Sequence, residues 1–505
     1  MSTILLHGGT VVDGSGGEPF AADVLVAQDR IAAIGADLRP ADVNRIDCSG
    51  LVIAPGFIDA HSHSDLQVLE NRPEKLLQGA TSEVVGNCGF SPYPAWANVG
   101  ELREFANGIL HGGDHWGWPD AQTYLRDVSS RCRTGVLSLV GHGSLRIAHA
   151  GHRLGPLSQD DLGAMERSLD DLLGQGASGF SSGLMYSPGA SAPVTELDAL
   201  CRVVARRGLI YATHMRDYGD SLGEAVSEQV GIARRTGCRL QISHLQAVGP
   251  RNWPKQEAAI EAIEDAHRDG VDVAFDCYPY TRGSTVLTQL LPQSALDGGM
   301  NALLGRLSDA NQRHHIAVQM DRSLAQGWAG ILISALPSAK NRDLIGRSIA
   351  EIAQLRHAEP ATVALDLLVE EKGAVNMLEI NQSDENLRRA LTHPLSIIIT
   401  DGFYVDGLPH PRLYGSFPFL LGELCRKRKW LTLPEAVSKI TSRPAQRFGL
   451  RQRGLLKRGY YADITVFNPA EVNSPATYEN PAESPIGIRY VLREGRMLVE
   501  NGNLT

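Results

Sequence analysis

At 505 residues, with 43% apolar and 21% charged, the chain has the composition of a folded protein too long for one hydrophobic core to organise. Its net charge of −9 argues against nucleic acid or an anionic membrane surface as a partner. The start, MSTILLHGGTVVDGSGG, lacks a basic n-region, and no window approaches the roughly 18 consecutive apolar residues of a membrane span, so neither a signal peptide nor a transmembrane helix is expected.

The first stretch alternates in short steps, TILLHGGTVVDG, ADVLVAQDRIAAIG and RIDCSGLVIAP, with turn residues between β-rich runs. The far end repeats that texture in YYADITVFNP and IGIRYVLREGRMLVENG. Neither end is large enough to bury a sheet face by itself. Residues 1–54 and 448–505 are therefore expected to build one small β-sandwich domain, with residues 55–447 inserted between them.

The inserted part has a repeating rhythm. Strand-like segments run Leu51–His63, Ser82–Gly89, Gly135–Leu145, Ser178–Leu184, Leu209–Arg216, Arg239–Gln246, Asp272–Tyr280 and Leu395–Gly402. Most are apolar runs, as parallel strands buried on both faces should be. Between most of them lie amphipathic helical patterns, such as ELDALCRVVARRG from Glu196 and KQEAAIEAIEDAHRDG from Lys255. Strands alternating with helices predict an α/β fold, a (β/α)8 TIM-like barrel, with a doubly wound open sheet as the alternative. Residues 287–345 read as an insertion before the last barrel strand.

A barrel should carry its chemistry at the C-terminal ends of the strands. His61 and His63 end the first strand-like run, Cys88 the second, His142 the third, His214 the fifth, His244 the sixth and Asp401 the eighth. One histidine at a strand end is usually structural, but chance placement of 16 histidines would scatter most of them onto helices and loops. Imidazole, thiolate and carboxylate together suit a borderline ion such as zinc. The seven cysteines are scattered without paired spacing, the usage of a reducing cytoplasm, which is the expected location. Most such thiols are small buried hydrophobes, but the place of Cys88 between glycines, level with the histidines, marks it as a ligand.

APGFIDAHSHSD, the two single histidines and the late TDG resemble the amidohydrolase superfamily. GNCGFSP, SSGLMYSPG, HLQAVGPRNW, DCYPYTRGST, HPRLYGSF and TSRPAQRFGLRQRGLLKRGYYADITVFNP resemble, in that order, the N-acyl-D-amino-acid deacylases, or D-aminoacylases. The resemblance implies a zinc-dependent enzyme acting on a small N-acyl-D-amino acid. It places the tight zinc on Cys88, His214 and His244, and lines a weaker second site with His61, His63 and Asp401. No lysine occurs between Lys75 and Lys255, so the carboxylated lysine that bridges the metals of many superfamily members has no source on the second to sixth strands. A cysteine at position 88 is the substitute this family is known for.

The resemblance also assigns roles. Asp401 would take the proton of the attacking water and pass it to the leaving amine, Tyr186 would steady the oxyanion, and Arg412, Tyr280 and Ser284 would clamp the α-carboxylate. His142 receives no role. The chain departs from the family at Gln246, usually Lys, at Phe419, usually Arg, at Thr400, usually Ser, and at Arg282, usually a small residue. Gln246 and Arg282 are expected near the substrate. Arg282 facing the side-chain pocket would favour N-acyl-D-Glu or N-acyl-D-Asp. Arg282 taking over from the missing lysine would instead favour neutral D side chains such as Leu, Met or Phe, towards which the added apolar surface of Phe419 leans. Three alternatives stand: a ring-opening hydrolase of cyclic imides or hydantoins, a hydrolase of another amide, and a barrel without catalysis.

Overall fold

The computed structural model describes residues 3–96, 98–112 and 116–505. Eight parallel strands, Phe57–Asp59, Ala80–Val85, Gly135–Gly141, Gly179–Gly183, Ile210–His214, Arg239–Ile242, Val273–Cys277 and Ser396–Ile398, pair in sequence order. The ring closes where the last strand returns to the first: Ser62 bridges Gly402, and the Asp401 N–H donates to the His61 carbonyl at 2.9 Å. Seven of the eight expected segments contain one barrel strand each, and Ser82–Gly89 overlaps the remaining one, Ala80–Val85, which starts two residues earlier. Their residues are almost all buried, the pattern of strands covered on both faces.

The outer layer follows from helical periodicity. In helix Val194–Arg206 the buried residues Leu197, Leu200, Cys201 and Val204 recur three and four apart, forming one stripe against the barrel. Helix Gln159–Gly174 starts where the Ser158 side chain accepts the Asp161 N–H, and Leu222–Thr236 stops at Gly237, whose φ of 72° suits glycine.

The run Leu51–His63 is two strands rather than one. Val52–Pro55 pairs with Ile4–Val11 and Ile464–Phe467, whereas Phe57–Asp59 enters the barrel. Gly56 lies at the break, where a Cβ would stand 2.3 Å from the Thr81 hydroxyl oxygen, so only glycine fits. Strands from both chain ends thus join in one nine-stranded sheet through Val52–Pro55 and Ile464–Phe467.

Between the last two barrel strands, Arg282–Val286, Asn376–Ile380 and Ile331–Ala335 form a three-stranded antiparallel sheet with Asn376–Ile380 at its centre. Leu287, Leu303, Ile333, Ile349, Val363 and Leu367 give this segment a core of its own. It stands over the C-terminal end of the barrel and supplies part of the cavity wall there.

Candidate metal centre

The strand ends aim their side chains at one place because the turns after them are sharply bent. Cys88, His244 and Asp401 have positive φ of 53°, 34° and 50°. For residues with a Cβ such conformations cost of order 1–3 kcal/mol each and persist where the surroundings enforce them, commonly at functional sites. The loop holding Cys88 is tightly packed: a Cβ on Gly86 would stand 2.2 Å from the Leu139 carbonyl oxygen. The His244 N–H donates to Asp276 Oδ1 at 2.6 Å, and Asp276 Oδ2 accepts from Gln241 Nε2 at 3.0 Å, which pins the turn after the sixth strand.

The result is a buried cluster. Cys88 Sγ lies 3.3 Å from His61 Nε2 and 3.4 Å from His244 Nε2. Asp401 Oδ1 lies 3.3 Å from both His61 Nε2 and His63 Nε2. The His214 and His244 rings are 4.7 Å apart. Three sets, His61–His63–Cys88, Cys88–His214–His244 and His61–His244–Asp401, each bring their ligand atoms within 4.8 Å of one another. Donors at zinc distances in a tetrahedron stand about 3.4 Å apart, so the spacing fits such an ion. Both ring nitrogens of His214 are buried without a hydrogen-bond partner among the described residues, as an imidazole awaiting a ligand would be.

Burial and neighbouring charges set the protonation of these donors. Burial pushes His214 down to about 3, so it is a neutral donor at any ordinary pH. Burial pushes the Cys88 thiol up to about 11, although a charge on His61 opposes this. Burial would also raise Asp401, but the Arg412 guanidinium and His61 hold it well below the usual carboxylate range. Arg412, 2% exposed, places Nη1 2.7 Å from Asp401 Oδ2, donates from Nη2 to the Ser284 carbonyl at 3.3 Å, and lies 4.6 Å from the Tyr278 ring centre.

A cavity of about 550 Å³ opens from the cluster. Its wall includes His63, Cys88, Tyr186, His214, His244, Gln246, Ser284, Asp401 and Arg412. The Tyr186 ring is 4.9 Å from that of His214, and its hydroxyl is 3.1 Å from Thr285 Oγ1. Gln246 Oε1 accepts from the Tyr278 hydroxyl at 2.8 Å. Tyr280 and Arg282 stand elsewhere: Tyr280 stacks on Phe419 at 5.0 Å, and the Arg282 guanidinium lies 5.5 Å from the Tyr478 ring, outside the wall. His142 opens helix His142–Ala150 and meets Glu196 at 2.8 Å.

The Amidohydrolase family model matches residues 45–499. The chain belongs to the amidohydrolase family. An N-acyl-D-glutamate deacylase of Alcaligenes xylosoxydans xylosoxydans is 38% identical to this amidohydrolase, over 97% of the chain and 92% of the relative. A D-aminoacylase of the same organism is 35% identical, over 97% and 93%. The crystal structure of the N-acyl-D-glutamate deacylase of Bordetella bronchiseptica, complexed with zinc and a phosphonate mimic of the tetrahedral intermediate, superposes with a TM-score of 0.84 at 32% identity, covering 100% of this chain and 98% of that one.

Several groups at the site have no mark in the sequence reading. Asp276 sits in the quoted DCYPYTRGST, but nothing there announces that it holds the His244 turn. The pairing of Arg412 with Asp401 joins the start of helix Arg412–Phe419 to the turn after the eighth strand. Glu379 and Gln326 reach the wall from the inserted segment, and the one visible signal is a glutamate within the apolar run NMLEI. Beneath the site, Lys75 is buried against Asp59 and donates to Thr400 Oγ1 at 2.5 Å, which gives the threonine of TDG a structural partner.

Proposed function

We propose that this protein hydrolyses the amide bond of N-acyl-D-amino acids with bound zinc, giving a carboxylate and the free D-amino acid. One observation carries the reading: a Cys–His ligand cluster and a buried arginine meet at the same cavity, with Arg412 Nη1 2.7 Å from Asp401 Oδ2. The near full-length relatives that act on N-acyl-D-amino acids support the same class.

Cys88, His214 and His244 would hold the tight ion, with His61, His63 and Asp401 around a second, weaker position. Zinc, when bound, makes water a nucleophile near neutral pH and polarises a carbonyl. The chain's own groups do the rest. Asp401, kept anionic by Arg412 and His61, takes the proton of the attacking water and returns it to the leaving nitrogen. Tyr186, whose burial keeps its hydroxyl protonated, donates to the oxyanion. The planar fork of Arg412 takes the α-carboxylate beside Ser284 and Gln246. Tyr280 and Arg282 would act on that clamp indirectly through His410, whose Nδ1 accepts the Arg412 N–H at 2.9 Å, whose Nε2 lies 2.9 Å from the Arg282 carbonyl and whose ring is 5.2 Å from that of Tyr280. The same reading divides the chain into a small β domain, residues 1–54 and 448–505, and a barrel of residues 55–447, with residues 287–345 as part of an insertion that also takes in the strands Arg282–Val286 and Asn376–Ile380. Incubation with racemic N-acetyl-methionine tests it. D-methionine should accumulate while the L-substrate persists; release of L-methionine, or of no amine from this or any other N-acetyl-D-amino acid, would refute the reading.

A further inference from the structure

Besides the metal-cluster residues, the cavity wall carries three carboxylates, Asp217, Asp220 and Glu379, and among the described residues Arg412 is its one Arg or Lys. Arg412 is engaged with Asp401, so no cation of the wall is left over. Asp220 is paired with Arg251 at 2.8 Å, and Asp217 accepts from the Gly219 N–H. Glu379 is the one of the three that is buried, and no cation pairs with it among the described residues. It sits on the central strand of the inserted sheet, 8% exposed. Gln326 Nε2 donates to its Oε2 at 2.6 Å, and no donor among the described residues engages Oε1.

A carboxylate buried without a cation is costly, and burial pushes Glu379 up to about 7 against the hydrogen bond from Gln326. Its surroundings add acceptors rather than donors. Asn381 Oδ1, Gln289 Oε1 and Gln293 Oε1 all belong to wall residues and are buried with no donor in reach among the described residues. Their amide orientations are set by other bonds: Asn381 Nδ2 donates to the Tyr278 hydroxyl at 3.1 Å, and Gln293 Nε2 to the Met185 carbonyl at 3.0 Å. The charge of Glu379 is felt at Tyr186 and Tyr278, which line the same cavity.

We propose that Glu379 selects the substrate's side chain, so that the protein acts best on N-acyl-D-amino acids whose side chain is a cationic hydrogen-bond donor, D-arginine before D-lysine. A guanidinium offers five N–H donors in a planar fork: two can meet the carboxylate and the others the unpaired amide oxygens. An acidic side chain would bring a second carboxylate beside Glu379 with no cation to hold it. The proposal rests on the reading of the site as an N-acyl-D-amino-acid hydrolase, and it replaces the neutral preference expected from Phe419.

The test is kcat/KM of the zinc-loaded protein and its Glu379→Gln variant on N-acetyl-D-arginine, N-acetyl-D-citrulline, N-acetyl-D-methionine and N-acetyl-D-glutamate. Citrulline keeps the shape of arginine and removes its charge. Wild type should favour arginine over citrulline by at least about tenfold and over glutamate by at least about a hundredfold, the scale of one buried charge pair. In Glu379→Gln the arginine-to-methionine ratio should fall at least about tenfold, and a ratio from one preparation does not depend on how much of it is folded. If the variant does not fold at all, the wild-type arginine-to-citrulline ratio decides. A wild type that favours glutamate, or a ratio unmoved by the substitution, overturns the role of Glu379 while leaving D-amide hydrolysis standing. No turnover of any N-acetyl-D substrate overturns both.

Discussion

Replacing Arg412 by alanine separates two duties that the structure gives to one side chain. The guanidinium is 2.7 Å from the Asp401 carboxylate and, in the proposed complex, also faces the substrate's α-carboxylate. With charge centres about 4 Å apart and an effective dielectric near 20, each such pair is worth about 4 kcal/mol before desolvation is charged against it. Removing the arginine leaves a buried charge without a partner, for which a loss of about 2–5 kcal/mol is usual, or about 30- to 5,000-fold in kcat/KM. The assay compares N-acetyl-D-methionine with its α-amide in both proteins. Support of Asp401 is lost equally on acid and amide, whereas the clamp is lost on the acid alone, so the acid-over-amide preference of the wild type should collapse in Arg412→Ala. An unchanged preference, or acid turnover within about threefold of wild type, would refute the clamp.

Cys88→Ala should strip the tight zinc and abolish turnover, because a three-ligand site loses its one thiolate; stoichiometric zinc with near-normal turnover would count against it. Asp401→Asn should lower kcat at least about a hundredfold while the tight zinc, read by metal analysis, stays bound. Glu379 also predicts a pH effect on stability. Its folded value of about 7 lies above the ordinary 4.5, so the folded state holds a proton that the unfolded chain releases between those values. Stability should therefore fall as pH rises from about 4.5 to 7, by up to about 1.4 kcal/mol per unit, and level off above. Thermal melts of Glu379→Gln should fall less steeply over that range, the remainder coming from groups such as Asp65, which burial pushes up to about 8; parallel profiles would contradict the assignment.

The barrel was legible because its strands are short, apolar and regularly spaced, and because buried parallel strands leave their polar residues at the ends. His61, His63, Cys88, His214, His244 and Asp401 could be picked out for that reason, together with His142, which meets Glu196 instead of joining the cluster. Local pattern carries less about the joins. Leu51–His63 reads as one β-run, and only the packing of Thr81 on Gly56 shows why it must break. The cavity wall was least legible. Arg282 and Tyr280 sit two and four residues before Ser284, yet they turn towards Tyr478 and Phe419, because direction off an inserted strand depends on what packs behind it. Glu379 lies far along the chain from every motif, and its meaning comes from the absence of a cation around it among the described residues.

Zinc titration of the chelator-stripped protein, followed by turnover of N-acetyl-D- and N-acetyl-L-arginine, tests the central claim most directly. Without metal no activity is expected; the first equivalent of zinc should restore D-substrate turnover, with L-substrate turnover at least about a hundredfold lower. Full activity in the stripped protein, or faster turnover of the L-substrate, would contradict the claim.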